Sequence, residues 1–133
     1  MSNLVKPVLP AQPLPNFESA TFLRTHIQDI LNFYKPNTFD SAGGFFHYYR
    51  DDGSIYNRTH RHLVSATRLV FNWVQAWQQT DDPTYLAWAQ HALNHLDTQF
   101  KTPAGVDVWA LANGCPEDSR IMAYGQAFVR LWT

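Results

Sequence analysis

Apolar residues recur at helical spacing along the stretch from His60 to Trp77, HRHLVSATRLVFNWVQAW. Leu63, Ala66, Val70, Trp73 or Val74, and Trp77 share one stripe, and Val64, Leu69 and Phe71 carry apolar character to other sides. A helix that is apolar nearly all round is expected to be buried. Arg68 stands in its middle, and a buried arginine is paired or engaged with an anion or an oxygen-rich ligand.

The same pattern places three more helices. Leu23, Ile27, Ile30, Leu31 and Tyr34 form the stripe of a helix over about 19–34, with Asn16 or Ser19 as its cap and Pro36 as its stop. The long helix follows over about 60–79. A third, over about 83–100, has Asp82 as cap, Pro83 at its first position and Tyr85, Leu86, Ala89, Leu93, Leu96 and Phe100 on its apolar face. A fourth, over about 118–132, carries Ile121, Met122, Tyr124, Gly125, Phe128, Leu131 and Trp132. Asp52-Gly53 and Asn113-Gly114 are tight-turn signals, so short hairpins are predicted near 45–56 and 106–114. Residues 1–16 read as a Pro-rich extended arm ahead of a domain covering 17–133.

This order repeats. Each unit is a helix, a glycine-led hairpin and a second helix, and the turn glycines Gly53 and Gly114 stand 61 residues apart. Such units pack side by side as helical hairpins. Helices two and four read as an inner layer, and helices one and three, with Lys35, Gln90, His91 and His95, as an outer one. Two hairpins cannot close on themselves, and the chain stops at FVRLWT inside an apolar helix. The expectation is the first two hairpins of a longer toroid, or a chain that completes itself by association through Trp88, Phe128 and Trp132.

Composition narrows the class. The 133 residues suit one domain, and 45% hydrophobic and 15% aromatic content suit a packed core with an aromatic-lined pocket. A net charge of −1 gives no electrostatic case for nucleic acid or a membrane surface. Cys115 is the one cysteine, which excludes a disulfide within the chain and fits a reducing compartment. No stretch approaches the ~18 apolar residues of a membrane span, and prolines interrupt the N-terminus where a signal peptide needs an apolar core. The chain reads as soluble and cytoplasmic.

Arg68 is the leading candidate for chemistry, either as a guanidinium polarising a substrate oxygen or as half of a structural ion pair. Tyr124 offers a hydroxyl to a polar ligand, or is a core tyrosine with its hydroxyl at the surface. His91 and His95 have the spacing of metal ligands but no third partner, so a solvated face is the better reading. His60 and His62, beside Arg61, and His47, in the aromatic hairpin, could face the mouth of a pocket or satisfy hairpin carbonyls. The acid pairs Asp51-Asp52 and Asp81-Asp82 sit at a turn and a cap that explain them. No HExxH, phosphate-binding glycine loop or GxSxG occurs, so no cofactor or metal is expected.

The segments GGFFHYYRDDGSIY, HRHLVSATRLVFNW, YLAWAQHALNHL and AYGQAFVRLW, in that order and spacing, resemble the N-acylglucosamine 2-epimerase and mannose isomerase family over most of residues 22–133. The resemblance implies an all-α (α/α)6 barrel, of which this chain holds about the first two hairpins of six. It implies a sugar substrate and either inversion at C2 of an amino sugar or aldose–ketose interconversion, both begun by removing a proton beside a carbonyl. Arg68, in HLVSATR, matches the family arginine that holds substrate oxygens, and Tyr124, in the YxxAF segment, matches a substrate-contacting tyrosine. The catalytic histidines of the family lie in later inner helices, and no histidine here maps onto them. Val64 stands where the isomerases often have a tryptophan, four positions before the arginine.

The expected activity is therefore that of a sugar isomerase or 2-epimerase, with Arg68 as the catalytic cation and Tyr124, His62 and His47 binding substrate. Association into a homo-oligomer is expected. A helical-repeat scaffold and a toroidal glycoside hydrolase are the alternatives. The aromatic hairpins argue against the first, and the lack of two facing carboxylates against the second.

Overall fold

A computed structural model describes residues 12–132 of the chain. Of the proposed N-terminal arm, residues 1–11 lie outside the described residues, and 12–16 are exposed with no regular structure. The element order is α1 (Ala20–Tyr34), β1 (Tyr48–Tyr49), β2 (Ile55–Asn57), β3 (His60–His62), α2 (Leu63–Thr80), α3 (Pro83–His95) with a wide π turn over Leu96–Phe100, β4 (Ala110–Ala112), β5 (Cys115–Asp118) and α4 (Ala123–Arg130). The chain is helical with short strands, and the helix–hairpin–helix unit occurs twice.

Caps fix two of the helices where the sequence places them. Ser19 Oγ accepts the N–H of Phe22 at 3.2 Å to open α1, and Asp82 Oδ1 accepts the N–H of Thr84 at 2.9 Å to open α3 behind Pro83.

The other two starts differ from expectation. The second helix begins at Leu63, not His60, because residues 60–62 form β3 and pair antiparallel with β4, His60 facing Ala112 and His62 facing Ala110. The Leu63 N–H then donates to Trp109 O at 3.0 Å. The fourth helix begins at Ala123, not Asp118. Asp118 ends β5, opposite Ala110, and its carboxylate binds the Arg120 guanidinium instead of capping a helix. The second hairpin accordingly lies at 110–118, beyond the predicted 106–114.

Alpha2 is the central element, with its broadest contact against α3 and a second against α4. Leu63, Ala66, Val70, Trp73 and Ala76 are buried along it. Trp73 anchors the core: its ring lies 5.3 Å from Phe45, 5.0 Å from Trp88 and 5.9 Å from Tyr85, the last stacked at 6°. Aromatic pairs at these separations add attraction beyond the area they bury.

The expectation of a helix buried all round is not met. Arg68, Phe71, Asn72 and Gln79 form an open stripe on α2. The α1 stripe is likewise mostly uncovered: Leu31 is buried and Tyr34 half-buried, whereas Leu23, Ile27 and Ile30 are exposed. Trp88, Phe128 and Trp132, expected as exposed flanks, are half-buried, because Trp88 joins the Trp73 cluster and Trp132 lies 5.5 Å from Phe71. No helix among the described residues is long and apolar enough to cross a membrane.

Candidate functional site

A groove of about 570 Å3 opens between α1 and α2 under the first hairpin. Ile27, Ile30, Leu31 and Tyr34 form one wall, the α2 residues from Ser65 to Gln79 the other, and Phe46, His47 and Tyr49 its end. Apolar walls with a few convergent polar groups are the usual make-up of a small-molecule site. Arg68 and His47 both line it.

Arg68 is exposed, so the expectation of a buried guanidinium fails for this residue. The cause is its phase on the helix: Leu63, Val70 and Trp73 face the core, and position 68 falls on the open stripe with Asn72 and Gln79. Its guanidinium carbon sits 5.5 Å from the Phe128 ring centroid. Phe128 in turn packs edge-on to Tyr124 at 5.0 Å. Tyr124 is 55% exposed and does not line the groove, so it joins Arg68 only through Phe128.

The buried arginine is Arg61, one residue type the sequence offered but at a position it did not single out. Arg61 Nη2 donates to Asp40 Oδ2 at 2.7 Å, Nη1 donates to the carbonyls of Arg58 and His60, and the guanidinium lies 4.7 Å from the Phe46 ring centroid. Nothing in the spacing of Asp40 and Arg61, 21 residues apart, announces this pair.

His47 stands beside that charge. Its Nδ1 accepts the backbone N–H of His62 at 3.0 Å, which leaves Nε2 as the nitrogen carrying the proton in the neutral ring. Burial drives the His47 imidazole down to about 3, with the positive Arg61 and the neighbouring His95, His62 and His60 adding to the effect. At neutral pH His47 is thus a hydrogen-bond donor, not a general base. The His62 ring turns away from this contact and packs on Trp109 at 4.4 Å. Burial, and then His60, lowers its pKa as well.

His91 and His95 are not a solvated face. His91 Nε2 donates to the carbonyls of Asp40 and Gly44 at 2.9 and 3.1 Å and its ring stacks 4.5 Å from Phe39. His95 lies against Gly43 and Gly44, where a Cβ on Gly44 would come within 2.5 Å of its ring. Burial and Arg61 hold His95 down at about 4. Both histidines fasten the loop that ends in Phe45 and His47.

A helical chain with this groove at its hairpin end matches known proteins over most of its length. The N-acylglucosamine 2-epimerase (GlcNAc 2-epimerase) family profile covers residues 44–133. The chain belongs to that family. A D-mannose isomerase from Marinomonas mediterranea is 42% identical over 117 residues, which is 88% of this chain and 30% of that protein. The crystal structure of a D-mannose isomerase, 41% identical, superposes with a TM-score of 0.86 over 90% of this chain and 30% of its own. A cellobiose 2-epimerase from Eubacterium cellulosolvens is 29% identical over 103 residues, 76% of this chain and 25% of that protein. The chain thus spans less than a third of the length of these relatives.

Proposed function

We propose that this chain supplies the substrate-oxygen-binding part of a sugar isomerase or 2-epimerase, within an (α/α)6 barrel. The reading is carried by the convergence of Arg68 and His47 on one groove. The 42% identity to a D-mannose isomerase favours an aldose–ketose pair of the mannose and fructose type over an amino sugar.

The chemistry follows from the groups present. Removing a proton beside a carbonyl leaves an enediolate whose charge sits on oxygen. The planar Arg68 guanidinium offers paired donors to such an oxygen. His47, neutral with its proton on Nε2, adds a further donor without competing for the proton being moved. Tyr124 would reach only a sugar extending past Phe128. His62 acts through its backbone bond to His47 rather than through its ring. Among the described residues that line the groove, His47 is the sole imidazole, and it is a poor base. The proton-shuttling base therefore comes from outside the groove, and this chain by itself does not turn over sugar. The open faces of α1 and α2 favour self-association as a homo-oligomer, and the exposed free thiol of Cys115 suits a reducing, cytoplasmic setting.

The test is titration of the chain with D-mannose, D-fructose and N-acetyl-D-mannosamine, followed by NMR at Arg68 and His47. Selective shifts with mannose and fructose support the reading. Equal silence from all three sugars overturns it. Incubation of D-mannose with the chain in deuterium oxide should leave the C2 proton in place. Exchange there would mean that a histidine of this chain is the base.

A further inference from the structure

Strands β1 and β3 carry His47's neighbour and His62, yet they lie in different sheets: β1 pairs with β2, and β3 with β4. Side chains bridge them. We propose that Tyr48, His60 and Glu117 form a positioning relay that locks β1 to β3 and keeps the His62 N–H in register with His47, which lines the groove.

The order of the relay follows from its partners. Glu117 Oε2 lies 2.9 Å from His60 Nε2, and a carboxylate can only accept, so Nε2 carries the proton. The Nδ1 lone pair is then free to accept the Tyr48 hydroxyl, which it does at 2.6 Å. Glu117 is about half exposed, so this contact itself contributes little energy. Its effect is to select the tautomer that can receive Tyr48.

The geometry makes this bond matter to the groove. Tyr48 directly follows His47, and alternation along a strand puts His60 and His62 on one face of β3 with Arg61 on the other. Tyr48 to His60 and His62 N–H to His47 Nδ1 are therefore two successive rungs between the same pair of segments. Asn57, the partner of Tyr48 in the β1–β2 ladder, accepts the N–H groups of Thr59 and His60 through Oδ1 and closes the turn from β2 to β3, and the relay adds a side-chain link from β1 itself to β3. Glu117 reaches in from β5, so the relay spans both repeat units. The functional meaning of the register rests on the proposed sugar groove; the relay itself does not.

Tyr48→Phe keeps the ring packed against Tyr56 and His60 while removing the hydroxyl. Nitrogen-15 spectra of the imidazoles and amide exchange of the chain read out the result. In the unaltered chain His60 should show an unprotonated Nδ1. In Tyr48→Phe the His62 amide should exchange roughly five- to tenfold faster, the size of one hydrogen bond, while the Val70 and Trp73 amides keep their rates. Glu117→Ala should raise the population of His60 protonated at Nδ1. An unchanged His62 amide overturns the proposal, as does equal acceleration at His62, Val70 and Trp73, which would mark a general loss of stability. A protonated Nδ1 on His60 in the unaltered chain overturns it too. Failure of sugars to shift Arg68 and His47 would count against the groove and leave these readings intact.

Discussion

The backbone N–H of His62 donates to Nδ1 of His47 at 3.0 Å, across 15 residues of chain. This bond survives only while His47 is neutral, because a protonated ring has a hydrogen on both nitrogens and can no longer accept. Its neighbour His95 is also held neutral, by burial and by Arg61.

A pH dependence of stability follows. His47 and His95 sit at about 3 and 4 in the folded chain against 6.5 unfolded. The unfolded chain therefore binds more protons between these limits, so their contribution is complete above about pH 6.5 and is lost as pH falls toward 4 and 3. The melting temperature should be flat from pH 8 to 7 and drop steadily below 6. Replacing His95 with Gln should make that slope shallower. A melting temperature independent of pH between 7 and 4.5 would contradict the assignment.

Arg68→Lys separates binding from folding. Arg68 is exposed and packs on the Phe128 ring, so the melting temperature should move by no more than the equivalent of about 1 kcal/mol. In an active enzyme carrying this segment, kcat/KM should fall roughly 10²-fold, since lysine lacks the planar fork of donors. A steep loss of stability with full activity per folded molecule would make Arg68 structural.

Asp40→Ala should be the opposite case. It leaves Arg61, 5% exposed, without its carboxylate and lets go of the loop that ends at His47. Removing one member of a buried pair typically costs about 3–5 kcal/mol. Urea unfolding should show a loss of at least about 3 kcal/mol; a loss under about 1 kcal/mol would show that water replaces Asp40.

Gly125→Ala tests the packing behind His62. A Cβ there would lie 2.8 Å from Leu63 Cδ2 and 3.1 Å from the Trp109 ring. Trp109 must shift, and the His62 ring packed on it must follow. Alanine is the better helix former by about 1 kcal/mol, but overpacking costs about 1–3 kcal/mol, so net destabilisation of up to about 2 kcal/mol is expected. Tryptophan fluorescence and thermal melts would reveal it, and a stabilised variant would refute it.

Helix positions with a local cause were legible in the sequence. Ser19, Asp82-Pro83 and Pro36 act on their own neighbours, so α1 begins and ends, and α3 begins, where those residues dictate. The starts of α2 and α4 were not, because each is set by a partner strand far along the chain: His60–His62 by Ala110–Ala112, and Asp118 by Ala110. The site divided in the same manner. The helical period puts Arg68 nearly opposite the Leu63, Ala66, Val70 and Trp73 stripe, but Val64, Leu69 and Phe71 make the helix read as apolar all round, which hides that one side stays open. His91 and His95 carried no sign that the glycines at 43 and 44 would fold onto them, since that contact requires backbone at positive φ where only the fold chooses the geometry.

The ladder between β3 and β4 has a kinetic consequence. Most helical-repeat arrays join neighbouring units through contacts close in sequence, so units can nucleate and melt one at a time. Here His60–His62 meets Ala110–Ala112 only after the intervening α2 and α3 have closed a long loop. Loop closure of that length is entropically costly before any contact rewards it. The two units are thereby tied together: β3 of the first unit finds its strand partner only on β4 of the second, so unfolding takes both together.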